Sequence, residues 1–240
     1  MLLSADALLA ARVLVIANAL PDSSQWVLPT RPAFMPDEVR AVEAWVRGGG
    51  SLFLIADHMP FAGAAATLAA AFDVVFYNGF AMQSSAEDRP LTFRRSDRSL
   101  GTDAITDGRG PSERMDSVQT FTGQGFRALR PVRALLTLDS TVTIYLRARA
   151  WEFRAQTPSV PAVGLLQGAV FRHGRGRVAV FGEAAVFSAQ LRGLGAVPLG
   201  MNAAGAAQNP TFLLNVMHWL LGLLEPDPTA PAAAALRRRP

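Results

Sequence analysis

The chain has 240 residues, half of them apolar and 18% charged, enough for one large α/β domain and too apolar for global disorder. Its net charge is +4 and its isoelectric point about 10.8, yet it has no lysine, so the positive charge is arginine alone. With abundant alanine and no aromatic-rich nucleic-acid module, this reads as compositional bias more than a phosphate-binding surface, and no nucleic-acid partner is expected. The absence of cysteine excludes disulfides, thiolate catalysis and thiolate metal sites.

The opening residues are apolar but place Asp6 before any basic side chain, so a signal peptide is not expected. The compartment stays open, with the cytoplasm favoured. A short helix over 4–10 is predicted before a strand at 12–17 and a proline-containing loop. A helix begins near Pro36, where proline suits a first turn and Asp37 and Glu38 favour the positive helix end. Gly48 to Gly50 stop it, and a strand follows at 51–56. An alanine-rich helix is expected over 62–71, then a strand at 74–77.

Between 78 and 125 the periodicity fades. That segment reads as an irregular insertion, either a cover over a cleft or antiparallel structure, with strands at 91–95 and 117–121. Further strands are expected at 134–138, 142–146, 162–170 and 177–181, the last fed by a hairpin turn within FRHGRGRVAVF. A helix over 184–191 and another over 211–223 complete the pattern, the latter with Asn209 as cap and Pro210 in its first turn. The apolar run 212–224 is too short to cross a bilayer and contains Asn215 and His218, so no transmembrane segment is expected. The domain spans 1–225, and 226–240 reads as an exposed tail rich in proline, alanine and arginine.

In open α/β sheets the loops beyond the carboxyl ends of parallel strands converge on the ligand. Two such junctions carry chemistry. SLFLIADHMPFAG delivers Asp57 and His58, and GRVAVFGE delivers Glu183. If their strands are neighbours, a carboxylate–imidazole–carboxylate cluster surrounds one cleft, with Asp57 orienting His58 as a base and Glu183 as general acid or second base. The competing reading is structural: Asp57 caps the next helix, His58 holds the loop, and Glu183 favours a helix N-terminus. A metal would find its donors in the same three residues, although no recognised metal motif is present.

His173 lies in a turn and is expected to be exposed; His218 is expected to pack within the last helix. Arg109 or Arg114 can offer charge to an anionic ligand, and Thr120, Thr122 and Gln124 can offer hydrogen bonds. Asn202 and Asn209 either rim a carbohydrate-like cleft or mark a connector and a helix cap. GRGR at 174–177 precedes its strand instead of following it, and there is no phosphate loop with a lysine, so no cofactor is expected.

The combination of PDEVRAVEAWVRGGGSLFLIADH, GRGRVAVFGEAAVFSAQ and QNPTFLLNVMHWLLG resembles bacterial proteins with a DUF4350-like domain. More distantly, over about residues 12–224, it resembles the class I glutamine amidotransferase-like superfold. The resemblance implies a three-layer α/β fold on a mostly parallel open sheet of flavodoxin or glutamine amidotransferase-like type. The superfold's amidotransferases use a Cys–His–acid arrangement; here the elbow region, Asp57 to Pro60, has no cysteine, so glutaminase activity is not implied. Relatives commonly carry a strand and helix ahead of the segment matched by RVLVIA. This implies a shortened member, a misassigned start, or an exposed sheet edge that supports a homodimer. Other relatives serve sugar utilisation or envelope systems. The expectation is therefore a non-amidotransferase binding or accessory domain for a polar or carbohydrate-derived small molecule. The alternative is a small-molecule hydrolase using Asp57, His58 and Glu183, with or without a metal.

Overall fold

The computed structural model describes residues 3–21, 23, 26–83 and 90–225; the expected tail at 226–240 lies outside them. Helix α1 (Ala5–Leu8), capped by the Ser4 side chain, leads into β1 (Val13–Ala17). Helix α2 (Pro36–Arg47) lacks a side-chain cap from Met35, and Glu38 instead reaches back to accept the Met35 amide. Strand β2 (Ser51–Ile55) follows the glycines. Where one helix was expected, the alanine-rich run makes two, α3 (Phe61–Ala64) and α4 (Ala66–Ala70), separated at Ala65. Their small side chains let both sink against the sheet: Ala62, Ala64, Ala65 and Ala69 are buried.

Strands β3 (Val74–Phe76) and β4 (Phe80–Gln83) come next. The insertion then contributes β5 (Leu91–Arg94), the one-turn helix α5 (Ala104–Asp107) and β6 (Ser117–Thr120). Strands β5 and β6 pair antiparallel, so the insertion contains strands near both expected positions and joins them to each other. The chain continues through β7 (Phe126–Ala128), β8 (Arg133–Thr137), β9 (Val142–Tyr145), β10 (Ser159–Pro161), β11 (Leu166–His173) and β12 (Gly176–Phe181). The helix expected over 184–191 is a single 3-10 turn, Ala185–Phe187. A hairpin of β13 (Ala189–Arg192) and β14 (Val197–Gly200) follows it. Alanine content favours helix there, but Gly193 and Ala196, both at positive φ, close the chain into a turn instead. Helix α6 (Asn209–Leu220) packs last.

The main sheet has the order β1-β2-β12-β11-β7-β3, with β8 also on β11. Strands β1, β2 and β12 run parallel, whereas β12–β11, β11–β8, β11–β7 and β7–β3 are antiparallel. The mostly parallel sheet expected from sequence is thus mixed. The cause is local: the tight turn after His173 folds β12 directly back on β11, and a short connection can only join antiparallel strands.

Residues on alternate faces of β2 and β12 enter different cores. Leu52, Leu54, Val178 and Val180 meet Val42 and Val46 of α2 and Leu68 of α4 on one side. Phe53, Ile55, Ala179 and Phe181 meet Phe212, Val216 and Trp219 of α6 on the other. Both strands therefore read as unbroken apolar runs, and the fold is broadly three-layered, helices on either face of a mixed sheet. No helix among the described residues is long and apolar enough to cross a membrane.

Candidate functional site

Strands β2 and β12 are in register up to Ile55 opposite Phe181, and the Ala56 amide donates to the Phe181 carbonyl. Asp57 and Glu183 each lie two residues beyond that pair, so parallel register alone carries both carboxylates to the same end of neighbouring strands. With His58 they line one cleft of about 540 Å3. The three residues expected from sequence are thus brought together.

Each is held by its own local structure. The Asp57 amide donates to the Asn18 side chain at the end of β1, and Asp57 Oδ1 accepts the His58 amide at 2.7 Å. Asp57 does not cap the following helix, whose cap position is Pro60. His58 Nδ1 lies 2.7 Å from the Met59 carbonyl, which can only accept, so Nδ1 carries the hydrogen and Nε2 keeps its lone pair in the neutral ring. The ring stacks on Phe80 at 4.4 Å and 14°, and Trp151 meets it edge-on at 4.8 Å. Glu183 is buried, and its two oxygens accept the amides of Ala185 and Val186 at 2.8 and 2.7 Å, capping the 3-10 turn. Burial first, and the Asp57 charge second, push the Glu183 carboxyl well above its ordinary range, while the two amides pull the other way.

A buried amide network supports the floor. Gln167 accepts from Thr120 Oγ1 and donates to the carbonyls of Thr122 and Gln124, while Gln124 reaches the Ala56 carbonyl and accepts the Tyr77 amide. Thr120 and Gln124 are therefore internal, and Thr122 is the member of that trio on the cleft wall. Asn209 begins α6 and pins both backbone groups of Gln119, another wall residue; Gln208, not Asn209, occupies the cap position. Asn202 accepts the Gln190 amide on the rim hairpin. Arg109 is engaged with Glu113, and neither it nor Arg114 lines the cleft. Among the described residues no group of three His, Asp or Glu side chains is disposed to hold a metal.

His173 is buried, contrary to the exposure expected of a turn residue. Arg130 donates to its Nδ1, so its Nε2–H faces Glu43, and Phe72 packs on its ring. It sits at the far end of the sheet from Glu183. His218 is half-buried on α6, as expected.

Two wall features escaped the sequence reading. Trp151 is 55% exposed with a φ of 65°, a conformation that bulky residues rarely adopt. The other is the hairpin β13–β14, which contributes Gln190, Arg192 and Leu199 to the rim. A lone tryptophan in the polar connector ARAWEFRAQ was the available signal for the first. The alternation around RGLGAV was the signal for the second.

No protein-family model matches the chain, and no curated protein matches it. Solved structures do. The mmIFT52 N-terminal domain is 11% identical with a TM-score of 0.56, the match covering 91% of this chain and 80% of that one. A ThuA-like protein from Bacteroides uniformis is 11% identical with a TM-score of 0.51, covering 92% and 73%. A cytoplasmic protein from Salmonella typhimurium is 13% identical with a TM-score of 0.50, covering 92% and 76%. At these identities the likeness is one of fold alone.

Proposed function

We propose that this chain is a non-amidotransferase binding domain that holds a polar, carbohydrate-derived small molecule at the carboxyl ends of β2 and β12. The observation that carries the reading is the cleft itself, which Asp57, Glu183, Gln119 and Thr122 line together with the exposed Trp151. Hydroxyl-bearing rings are recognised by this pairing of directional hydrogen-bond groups with an aromatic face. Glu183 already spends both oxygens on backbone amides, which suits a fixed wall better than a moving proton donor. The DUF4350-like resemblance, with its sugar-associated relatives in the wider superfold, supports the same ligand class. A thermal-shift screen of mono- and disaccharides, followed by soaking hits into crystals, tests it. Binding outside the cleft, or no binding to any sugar, overturns it.

A hydrolase is the second reading, favoured by His58 Nε2, which has no hydrogen-bond partner among the described residues, in a cleft that two carboxylates also line. Turnover of chromogenic glycosides or esters that disappears in both Asp57→Asn and His58→Gln would establish it. A homodimer paired through β1 belongs to the same proposal. That strand forms one edge of the sheet, with Val15 exposed, and sedimentation as a monomer removes this part.

A further inference from the structure

The chain has three histidines, and their ring nitrogens meet different fates. His173 has both engaged, by Arg130 and by Glu43. Nδ1 of His218 is sealed inside without a partner. His58 is deeply buried, only 8% exposed, yet it lines the cleft. Its Nε2 has no hydrogen-bond partner among the described residues and is not closed off from solvent, so that nitrogen opens on the cleft.

Holding the loop accounts for half of this ring. That task needs the Nδ1–H, which donates to the Met59 carbonyl. The packing of Phe80, Phe61 and Trp26 around the imidazole would be served as well by a phenyl ring. A second nitrogen carried into such an apolar surround costs free energy unless something donates to it. Because Nδ1 holds the hydrogen, Nε2 of the neutral ring can only accept, along a lone pair that lies in the ring plane.

We propose that His58 sets the specificity of the cleft: its Nε2 accepts the hydrogen of a ligand hydroxyl, and that hydroxyl stands on the same sugar ring that lies against Trp151. The inference rests on the polar-ligand reading above and deepens it, from a polar molecule to one that must offer a donor at one particular position. Trp151 and His58 are in contact, their ring centres 4.8 Å apart. A ring resting on the exposed indole therefore brings its own substituents to the imidazole edge. A ligand without the hydroxyl displaces water from Nε2 and gives no hydrogen bond in return, and the site rejects it for that reason.

Long-range proton–nitrogen spectra of the protein labelled with nitrogen-15 histidine test this, recorded with glucose, galactose, mannose, xylose and N-acetylglucosamine and with the monodeoxy derivatives of whichever binds. In the free protein His58 is expected as the neutral Nδ1–H tautomer. A bound sugar should move the Nε2 resonance of His58 and leave those of His173 in place. One of its deoxy derivatives should bind at least roughly tenfold more weakly and leave Nε2 unmoved. His58→Phe, which keeps the stack on Phe80 and removes the acceptor, should bind the parent sugar and that derivative alike. If this variant does not fold, the spectra of the native protein still decide. A hydrogen on Nε2 in the free protein overturns the His58 contact and leaves the polar-ligand reading standing. So does a bound sugar that leaves Nε2 unmoved and whose deoxy derivatives all bind equally well. Binding of none of these sugars overturns both.

Discussion

Gly123 lies against Glu183 so closely that a β-carbon placed on it would sit 2.8 Å from the Glu183 Cβ and 2.4 Å from the Gly182 carbonyl oxygen. Its φ of 88° adds a second barrier to any side chain. The contact is reinforced by the Gln124 amide donating to Gly182 and the Ala81 amide donating to Gly123. The insertion is thereby laid directly on the strand end that carries the acid.

Gly123→Ala is therefore expected to lower stability by about 1–3 kcal/mol, from backbone strain together with displacement of the loop. Equilibrium urea unfolding measures the cost. An unchanged midpoint would mean that the loop is not held as described.

The pH dependence of stability follows from Glu183, whose folded-state pKa is raised above the ordinary 4.5 by burial and then by Asp57. Above 4.5 the unfolded chain releases a proton that the folded chain retains. The contribution of Glu183 is thus complete below the unfolded value and is lost as pH rises through the folded one. Urea melts across that interval should show a falling slope in the native protein and a flatter one in Glu183→Gln. Parallel slopes would place the carboxyl elsewhere than in this buried, acid-facing position.

Trp151→Ala should leave the fold largely intact, since over half of the side chain is exposed, and relieve nothing but an aromatic contact with His58 and Phe80. Its effect belongs to the ligand: a loss of about 1–2 kcal/mol in binding, roughly a tenfold weaker dissociation constant. Titration of any sugar found to bind gives the number.

His173→Ala should behave in the opposite way. It leaves Glu43 and Arg130 without their shared partner, at a cost of about 1–3 kcal/mol, while ligand affinity stays within error because the residue lies at the far end of the sheet. A parallel fall in affinity would contradict that placement.

Much of the scaffold was legible because the chain states it locally. SLFLI and GRVAVF are buried at every position and apolar at all but Ser51 and Arg177, and strands buried on both faces leave that mark; the second residue after each strand is a carboxylate that lines the cleft. What the sequence does not carry is pairing. The hairpin turn in FRHGRGRVAVF signals the antiparallel return of β12 on β11, but nothing in the spacing of β3 and β7 says that they pair. Nor does anything bring Glu43 within reach of His173 before α2 has packed on the sheet. The hairpin at 189–200 was hidden for another reason: β13 is exposed at every position and β14 at its first two, so no alternation of burial distinguishes them from an alanine-rich helix. Trp151 was overlooked because a positive φ is a property of the folded chain.

The rim hairpin begins just after a turn whose first two amides are gripped by the carboxylate at the cleft floor. Floor and rim are consequently joined through one short turn. Removing the Glu183 carboxylate is expected to free the root from which β13 departs, because both amides of that turn lose their acceptor. A fluorophore at Leu194, fully exposed at the hairpin tip, would read the state of the floor without touching it.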